Sequence, residues 1–180
     1  AATLLLLPGR PFLYYGEEVG MGGGLNLSGD ARLRAPMSWS ASTANAGFTS
    51  GTPFRPSSAN VLTHNAAAQQ ADPQSLRAFY KSVIALRNRM PSLSRGRYEH
   101  AEGDSVSLSF QRHSGDERTV VVLNYGTAAI DRRLGGLPPG SRLRAVSPAA
   151  PAEALVNALG EARVTVPAQS FRVFQVQPLQ

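Results

Sequence analysis

Cysteine is absent from the 180 residues. That excludes disulfides, thiolate metal sites and a cysteine nucleophile. Lysine is nearly absent: Lys81 stands beside 17 arginines, which together make up the 18 basic residues against 12 acidic ones. A net charge of +6 and a pI near 10.5 invite a nucleic-acid reading. The arginines are scattered, however, and no stacking-aromatic pattern accompanies them, so no nucleic-acid partner is expected. Their densest group, Arg87, Arg89, Arg95 and Arg97, spans a helix end and a turn, where cations suit the macrodipole. Long apolar runs are missing too. The longest, Leu4 to Leu7, falls far short of a membrane span. The opening Ala1-Ala2-Thr3 has neither a Met nor a basic n-region, so it reads as neither a signal peptide nor a natural start, and a fragment of a longer protein is expected.

What is present is enough apolar material for a core, 42% of residues. Three zones follow one another. In residues 1–19, Leu4 to Leu7 finish a helix, Pro8-Gly9 stop it, and Pro11-Phe12-Leu13-Tyr14-Tyr15 is an apolar run of the kind found in buried parallel strands. A helix, a buried strand and acidic residues at its end are the grammar of a β/α barrel or a doubly wound sheet, where the loops after the strands carry function. Residues 20–74 are rich in Gly, Ser, Asn, Ala and Pro and show almost no periodicity. Loops this long are uncommon unless functional or disordered. Met37, Trp39, Phe48 and Phe54 give this one material to pack, so an ordered lid or rim loop is expected.

The third zone opens with a helix whose expected cap is Asp72, with Pro73 at the first helical position. Leu76, Phe79, Tyr80, Val83, Ile84 and Arg87 form one stripe, and Pro91 stops it. Strands are expected over 105–110, 119–124, 142–146, 162–166 and 171–176, with a loop over 145–154. Short strands at this spacing make an antiparallel sandwich.

Several stretches carry a family resemblance. Residues 8–21, from Pro8-Gly9-Arg10-Pro11 through Tyr14-Tyr15-Gly16-Glu17-Glu18 to Gly20-Met21, resemble the eighth barrel strand of the α-amylase family, glycoside hydrolase family 13. Arg34-Ala35-Pro36-Met37-Ser38-Trp39 resembles the R-x-P-M-x-W segment of its α-glucosidase and trehalose-synthase-like branches, and Asn45-Ala46-Gly47-Phe48 their N-A-G-F segment. Residues 70–76, with Tyr80 to Arg87 and Pro91, resemble their last barrel helix. The resemblance implies the last β/α unit of a (β/α)8 TIM barrel over residues 1–93, followed by a C-terminal antiparallel β-sandwich over 94–180. It also implies a retaining mechanism on α-glucosidic bonds, with carboxylates placed after strands 4, 5 and 7. A chain that starts in the helix before strand 8 is expected to hold no catalytic residue and to be inactive alone. Its expected partners are the missing N-terminal barrel and an α-glucan or oligosaccharide. The resemblance suggests a soluble bacterial protein, with the compartment open between cytoplasm, periplasm and secretion. Two rivals stay open. One is a non-catalytic α-amylase-fold protein, like the heavy-chain ectodomains of amino-acid transporters. The other is a carbohydrate-binding β-sandwich module, against which the apolar strand 11–15 weighs.

Candidate site residues follow. Glu17 and Glu18 tempt as a catalytic pair, but neighbours on an extended strand point to opposite faces, and a retaining pair must face one bond about 5–5.5 Å apart. Asp30, Arg32 and Arg34, with Glu18, are the candidate substrate-binding residues, because the loop after a barrel strand is where this fold binds. Arg can fork onto sugar hydroxyls or hold a carboxylate; a rim ion pair is the plainer role. Trp39, Phe48 and Phe54 could face a sugar ring, although packing that holds the loop is the first expectation. Gly22-Gly23-Gly24 lacks the Lys and Ser/Thr of a phosphate cradle and reads as flexible loop. His64, His100 and His113 have no metal spacing, so no metal and no cofactor is expected in this chain, and calcium elsewhere in the protein is left open. Asn26-Leu27-Ser28 matches a glycosylation acceptor, a cheap match.

Overall fold

The computed structural model describes residues 1–148 and 152–179. They form two compact units, one of Ala1–Arg10 with Ile84–Gln180, the other of Pro11–Val83.

In the first unit, a six-stranded antiparallel sheet has the order β1-β2-β3-β8-β5-β6, and β4 and β7 form a second, two-stranded sheet. The strands are β1 (Arg97–Gly103), β2 (Ser107–Ser114), β3 (Glu117–Asn124), β4 (Ile130–Leu134), β5 (Ser141–Ser147), β6 (Glu153–Leu155), β7 (Ala162–Val166) and β8 (Ser170–Pro178). All five expected strands exist, and β1, β4 and β6 are additional. β1 is almost wholly exposed, so it has no apolar alternation to betray it. It is an edge strand, carries Glu99, His100 and Glu102, and is broken by a register shift between Glu99 and Glu102. Charge and a bulge are what keep an edge from pairing with another chain. Of the loop expected over 145–154, residues 149–151 lie outside the described residues. On either side, β5 runs to Ser147 and β6 starts at Glu153.

The core lies between the two sheets. Val120 and Val122 of β3, Leu143 of β5 and Phe174 of β8 meet Leu134, Val164 and Val166 of β4 and β7. The central strand is buried on both faces. On its other face, Val121 pairs with Phe110 and Val173. Helices α1 (Ala2–Leu6) and α5 (Pro91–Arg95) lie against β3 on that side, α5 also against β2. This explains the unbroken run Val120-Val121-Val122-Leu123: with two apolar faces, period 2 disappears.

Two arginines fasten α1. Arg87, buried at 7% exposure, donates to the carbonyls of Leu5 (2.6 Å), Leu7 (3.0 Å) and Gly9 (2.5 Å). Arg112, 1% exposed, donates to Leu6 (3.1 Å) and Gly96 (2.9 Å). The last carbonyls of a short helix have no partner within it, and these cations take their place. Burial lowers both guanidinium pKa values, and for Arg112 the charge of Arg87 adds to it. Arg87 is thus part of the stripe as a buried clamp.

The second unit holds a 3-10 turn (Glu17–Val19), α2 (Gly29–Leu33), α3 (Ala66–Gln70) and the N-terminal part of α4 (Leu76–Arg89). Three local expectations change. Residues 11–15 form no strand within this chain: no ladder reaches them, and Phe12 is 87% exposed. An extended segment becomes a strand only when a neighbour takes its backbone groups. The cap of α4 is Ser75, not Asp72: the Ser75 hydroxyl accepts from the Ala78 N–H at 3.2 Å, while Asp72 accepts from Gln74 at 2.8 Å in a turn before the helix. Pro91 opens α5 instead of merely ending α4, its missing N–H costing nothing at a first helical turn.

Candidate functional site

Everything that could bind in the second unit is placed by a loop that few helices or strands support, so hydrogen bonds do that work. Gly22 to Gly24 are pinned. Asn60 accepts from Gly22 N–H at 2.7 Å and donates to Gly20 at 2.9 Å, Ser58 donates to Gly22 at 3.1 Å, and Gly24 bridges to Ser58. A Cβ on Gly23 would lie 2.5 Å from the exposed Arg32 side chain, which would have to move aside, and these hydrogen bonds make the expected flexible loop a held one. The turn after Trp39 is closed by Trp39 and Ser40 N–H groups, both donating to Ala46 at 2.9 and 3.0 Å. Gln69 of α3 donates to Val19 at 2.8 Å and accepts from Arg77 at 3.0 Å.

Two cavities result. The first, about 560 Å³, is lined by Tyr15, Glu18, Arg34, Trp39, Phe48 and Phe54, with Arg55, Met37 and the Ala35-Pro36 backbone completing it. The second, about 490 Å³, is lined by Tyr14, Glu17, Asp30, Leu33 and Arg34 among others. The candidate residues therefore divide. Glu18 and Arg34 share the first cavity, Asp30 and Arg34 the second. Glu17 and Glu18 face different cavities, as argued for neighbours, although they sit on a 3-10 turn and not on a strand.

Arg34 stands between the two, at the C-terminal end of α2, and pairs with Asp30 at 2.7 Å. Both side chains are more than half exposed (58% and 69%), so the pair contributes little to stability and is readily exchanged for another partner. Arg55 donates to the Ala31 carbonyl at 3.1 Å and lies 5.7 Å from the Phe54 ring centroid, a cation–π arrangement. Tyr15 donates to Ala35 at 2.9 Å. Burial first, then the neighbouring Tyr14, raises its phenol pKa against the opposing charges of Arg55 and Arg34. Burial, then the charges of Glu17 and Glu18, does the same to Tyr80.

Trp39, Phe48 and Phe54 do not hold the loop by packing. They are 53%, 56% and 96% exposed and form the cavity wall. Met37 is the buried one. Tyr15 and Arg55 escaped the sequence reading. For Arg55 the signal was there, in its adjacency to Phe54; Tyr15 was read only as part of the apolar run 11–15. Among the described residues no three His, Asp or Glu side chains gather as a metal site would require.

The α-amylase catalytic-domain family matches residues 1–96, the stretch that carries both cavities. The chain belongs to the α-amylase family. Among its relatives, the human amino acid transporter heavy chain SLC3A1 is 34% identical over 78% of this chain and 22% of its own. Trehalose synthase/amylase TreS of Mycobacterium tuberculosis is 36% identical over 67% of this chain and 22% of its own. Trehalulose synthase MutB from Pseudomonas mesoacidophila MX-45 superposes with a TM-score of 0.77 at 25% identity, covering 98% of this α-amylase-family chain and 37% of that structure. The chain thus spans about a fifth of the length of these curated relatives.

Proposed function

We propose that this chain is one wall of an α-glucosidic active site together with the β-sandwich that follows it. In this reading residues 1–93 end a (β/α)8 barrel, with Pro11–Tyr15 as its last strand, and residues 94–180 are the sandwich domain. The rest of the barrel is the chain's partner, it supplies the catalytic carboxylates, and the substrate is an α-glucan or oligosaccharide, cleaved or transferred with retention. One observation carries it: within the family-matched stretch, an aromatic wall of Trp39, Phe48 and Phe54 stands beside Arg34 and Glu18 in one cavity. Apolar ring faces with a few charged hydrogen-bonding groups are what a sugar offers partners for. Arg34 exchanges Asp30 for substrate hydroxyls, and Glu18 accepts from another.

A second reading is favoured by the likeness to the human transporter heavy chain: a family member that keeps the wall and does no glycosidic chemistry. Release of nitrophenol from p-nitrophenyl α-glucoside separates the two. The protein extended upstream of Ala1 turns it over and the 180-residue chain alone does not. No turnover by the extended protein favours the second reading, and turnover by the purified chain overturns both.

A further inference from the structure

Two arginines of the sandwich face each other where the core needs neither. Arg133 of β4 and Arg163 of β7 stand directly opposite in the two-stranded sheet. Both are exposed, on the face turned away from the buried Leu134, Ala162 and Val164. Like charges placed so on a sheet destabilise it. One acid relieves part of this. Glu161 accepts a hydrogen bond from Arg133, and that bond holds its carboxyl below the usual carboxylate range. Arg163 has no ion-pair partner among the described residues. The two guanidinium groups line a cleft of about 450 Å³ together with Glu161, Asn157 and Leu155. The turn on one side of it is held tightly. The Asn157 side-chain oxygen accepts from the N–H groups of Leu159 and Glu161, both at 2.9 Å, and the Asn157 N–H donates to the Glu161 carbonyl at 2.8 Å. Gly160 closes this turn at φ +75°, where a Cβ would lie 2.5 Å from the Leu137 carbonyl oxygen.

We infer that this cleft binds a phosphate group. With Glu161 counted, one positive charge is left over between the two arginines, so the fitting ligand is an anion. A phosphate has acceptor oxygens enough to take N–H groups from both guanidinium forks at once, which a single carboxylate does less well. A free monocarboxylate also competes with Glu161, which is tethered beside Arg133 and so present at high effective concentration. The Asn157 oxygen is engaged by the turn, which leaves its NH2 group to donate to the ligand. The cleft is larger than a bare phosphate, and Leu155, 69% exposed, offers an apolar contact to whatever carries the group. Exposed charges are screened by salt, so binding is weak, with Kd on the order of 1 mM. The site stands apart from the cavity at Arg34 and does not depend on the function proposed for it.

The test is a titration of the 180-residue chain with phenyl phosphate and, separately, with inorganic phosphate, at constant ionic strength and followed by amide NMR. Saturable shifts at Arg133, Asn157, Glu161 and Arg163 are expected, and acetate at the same ionic strength should not saturate them. Tighter binding of phenyl phosphate assigns the site to a phosphate ester, and binding no tighter than that of inorganic phosphate assigns it to the free ion. Arg163→Gln and Arg133→Gln should each weaken binding about fivefold or more. Arg97→Gln removes the same charge from β1, at the other edge of the larger sheet, and should leave binding unchanged. All three side chains are exposed, so folding is spared, and dispersed, native resonances for Val120–Leu123 check it in every sample. With those in place, no saturation by either phosphate probe, acetate binding as well as they do, binding unchanged in both cleft variants, or an equal loss in Arg97→Gln overturns the inference.

Discussion

Arg34 is the residue on which two roles compete. Its pairing with Asp30 is exposed and weak in consequence, so removing Arg34 should cost little stability. If it meets substrate, Arg34→Ala in the protein extended upstream should lower kcat/KM by about 1.5–3 kcal/mol, roughly ten- to a hundred-fold, with the Tm nearly unchanged. An unchanged kcat/KM would make it a rim ion pair and nothing more. Asp104 illustrates the reverse case, a charge whose role is structural. Its carboxylate accepts from Val106 N–H, from both the N–H and the hydroxyl of Ser107, and from Arg132. The Val106 and Ser107 bonds in particular hold its pKa below the usual carboxylate value. A depressed folded pKa means stability that is present above the unfolded value, about 3.9, and is lost as pH falls through the folded one. Asp104→Asn should therefore lower the Tm at pH 7 and flatten its decline below about pH 4. An acid limb identical to the parent's would show that these bonds contribute nothing.

At the scale of elements, the sequence was legible where one face is buried and the other wet. The β7 residues Ala162-Arg163-Val164-Thr165-Val166 alternate and were placed to the residue. It was also legible at β3, whose unbroken valines report two covered faces. It failed where an element is held by partners that periodicity does not encode. β1 is exposed and recognisable only by its pairing with β2. The α4 cap went to Ser75 because Asp72 was already engaged with Gln74 in a preceding turn, a competition between two good caps that spacing alone does not resolve. Ser75→Ala should then destabilise the helix by about 1 kcal/mol, with Asp72→Ala costing less, both read from thermal melts followed by circular dichroism. The opposite order would return the cap to Asp72. The candidate site was half legible. The motif residues Glu18, Asp30 and Arg34 were named from the sequence, and each lines at least one of the two cavities. That Trp39, Phe48 and Phe54 make a wall and not a core depends on how Asn60, Ser58 and Ala46 fold the loop, which no local pattern announces.

At the scale of the whole molecule, Pro11–Tyr15 carries the account. Its composition is that of a strand buried on both faces, yet Phe12, Leu13, Tyr14 and Tyr15 are all at least 43% exposed and no strand pairs with them among the described residues. On the proposed reading, partner strands elsewhere in the protein take up this segment, because apolar side chains and unpaired backbone groups left in water gain nothing from an extended shape. Hydrogen exchange followed by mass spectrometry reads this directly. In the 180-residue chain, the amides of residues 12–15 should exchange at rates close to those of an unstructured peptide, while those of 119–124 at the centre of the sandwich stay protected. In the protein extended upstream of Ala1, residues 12–15 should become as protected as 119–124. Protection of 12–15 in the monomeric chain alone, or its absence in both proteins, would contradict the assignment of this segment as the last strand of a barrel.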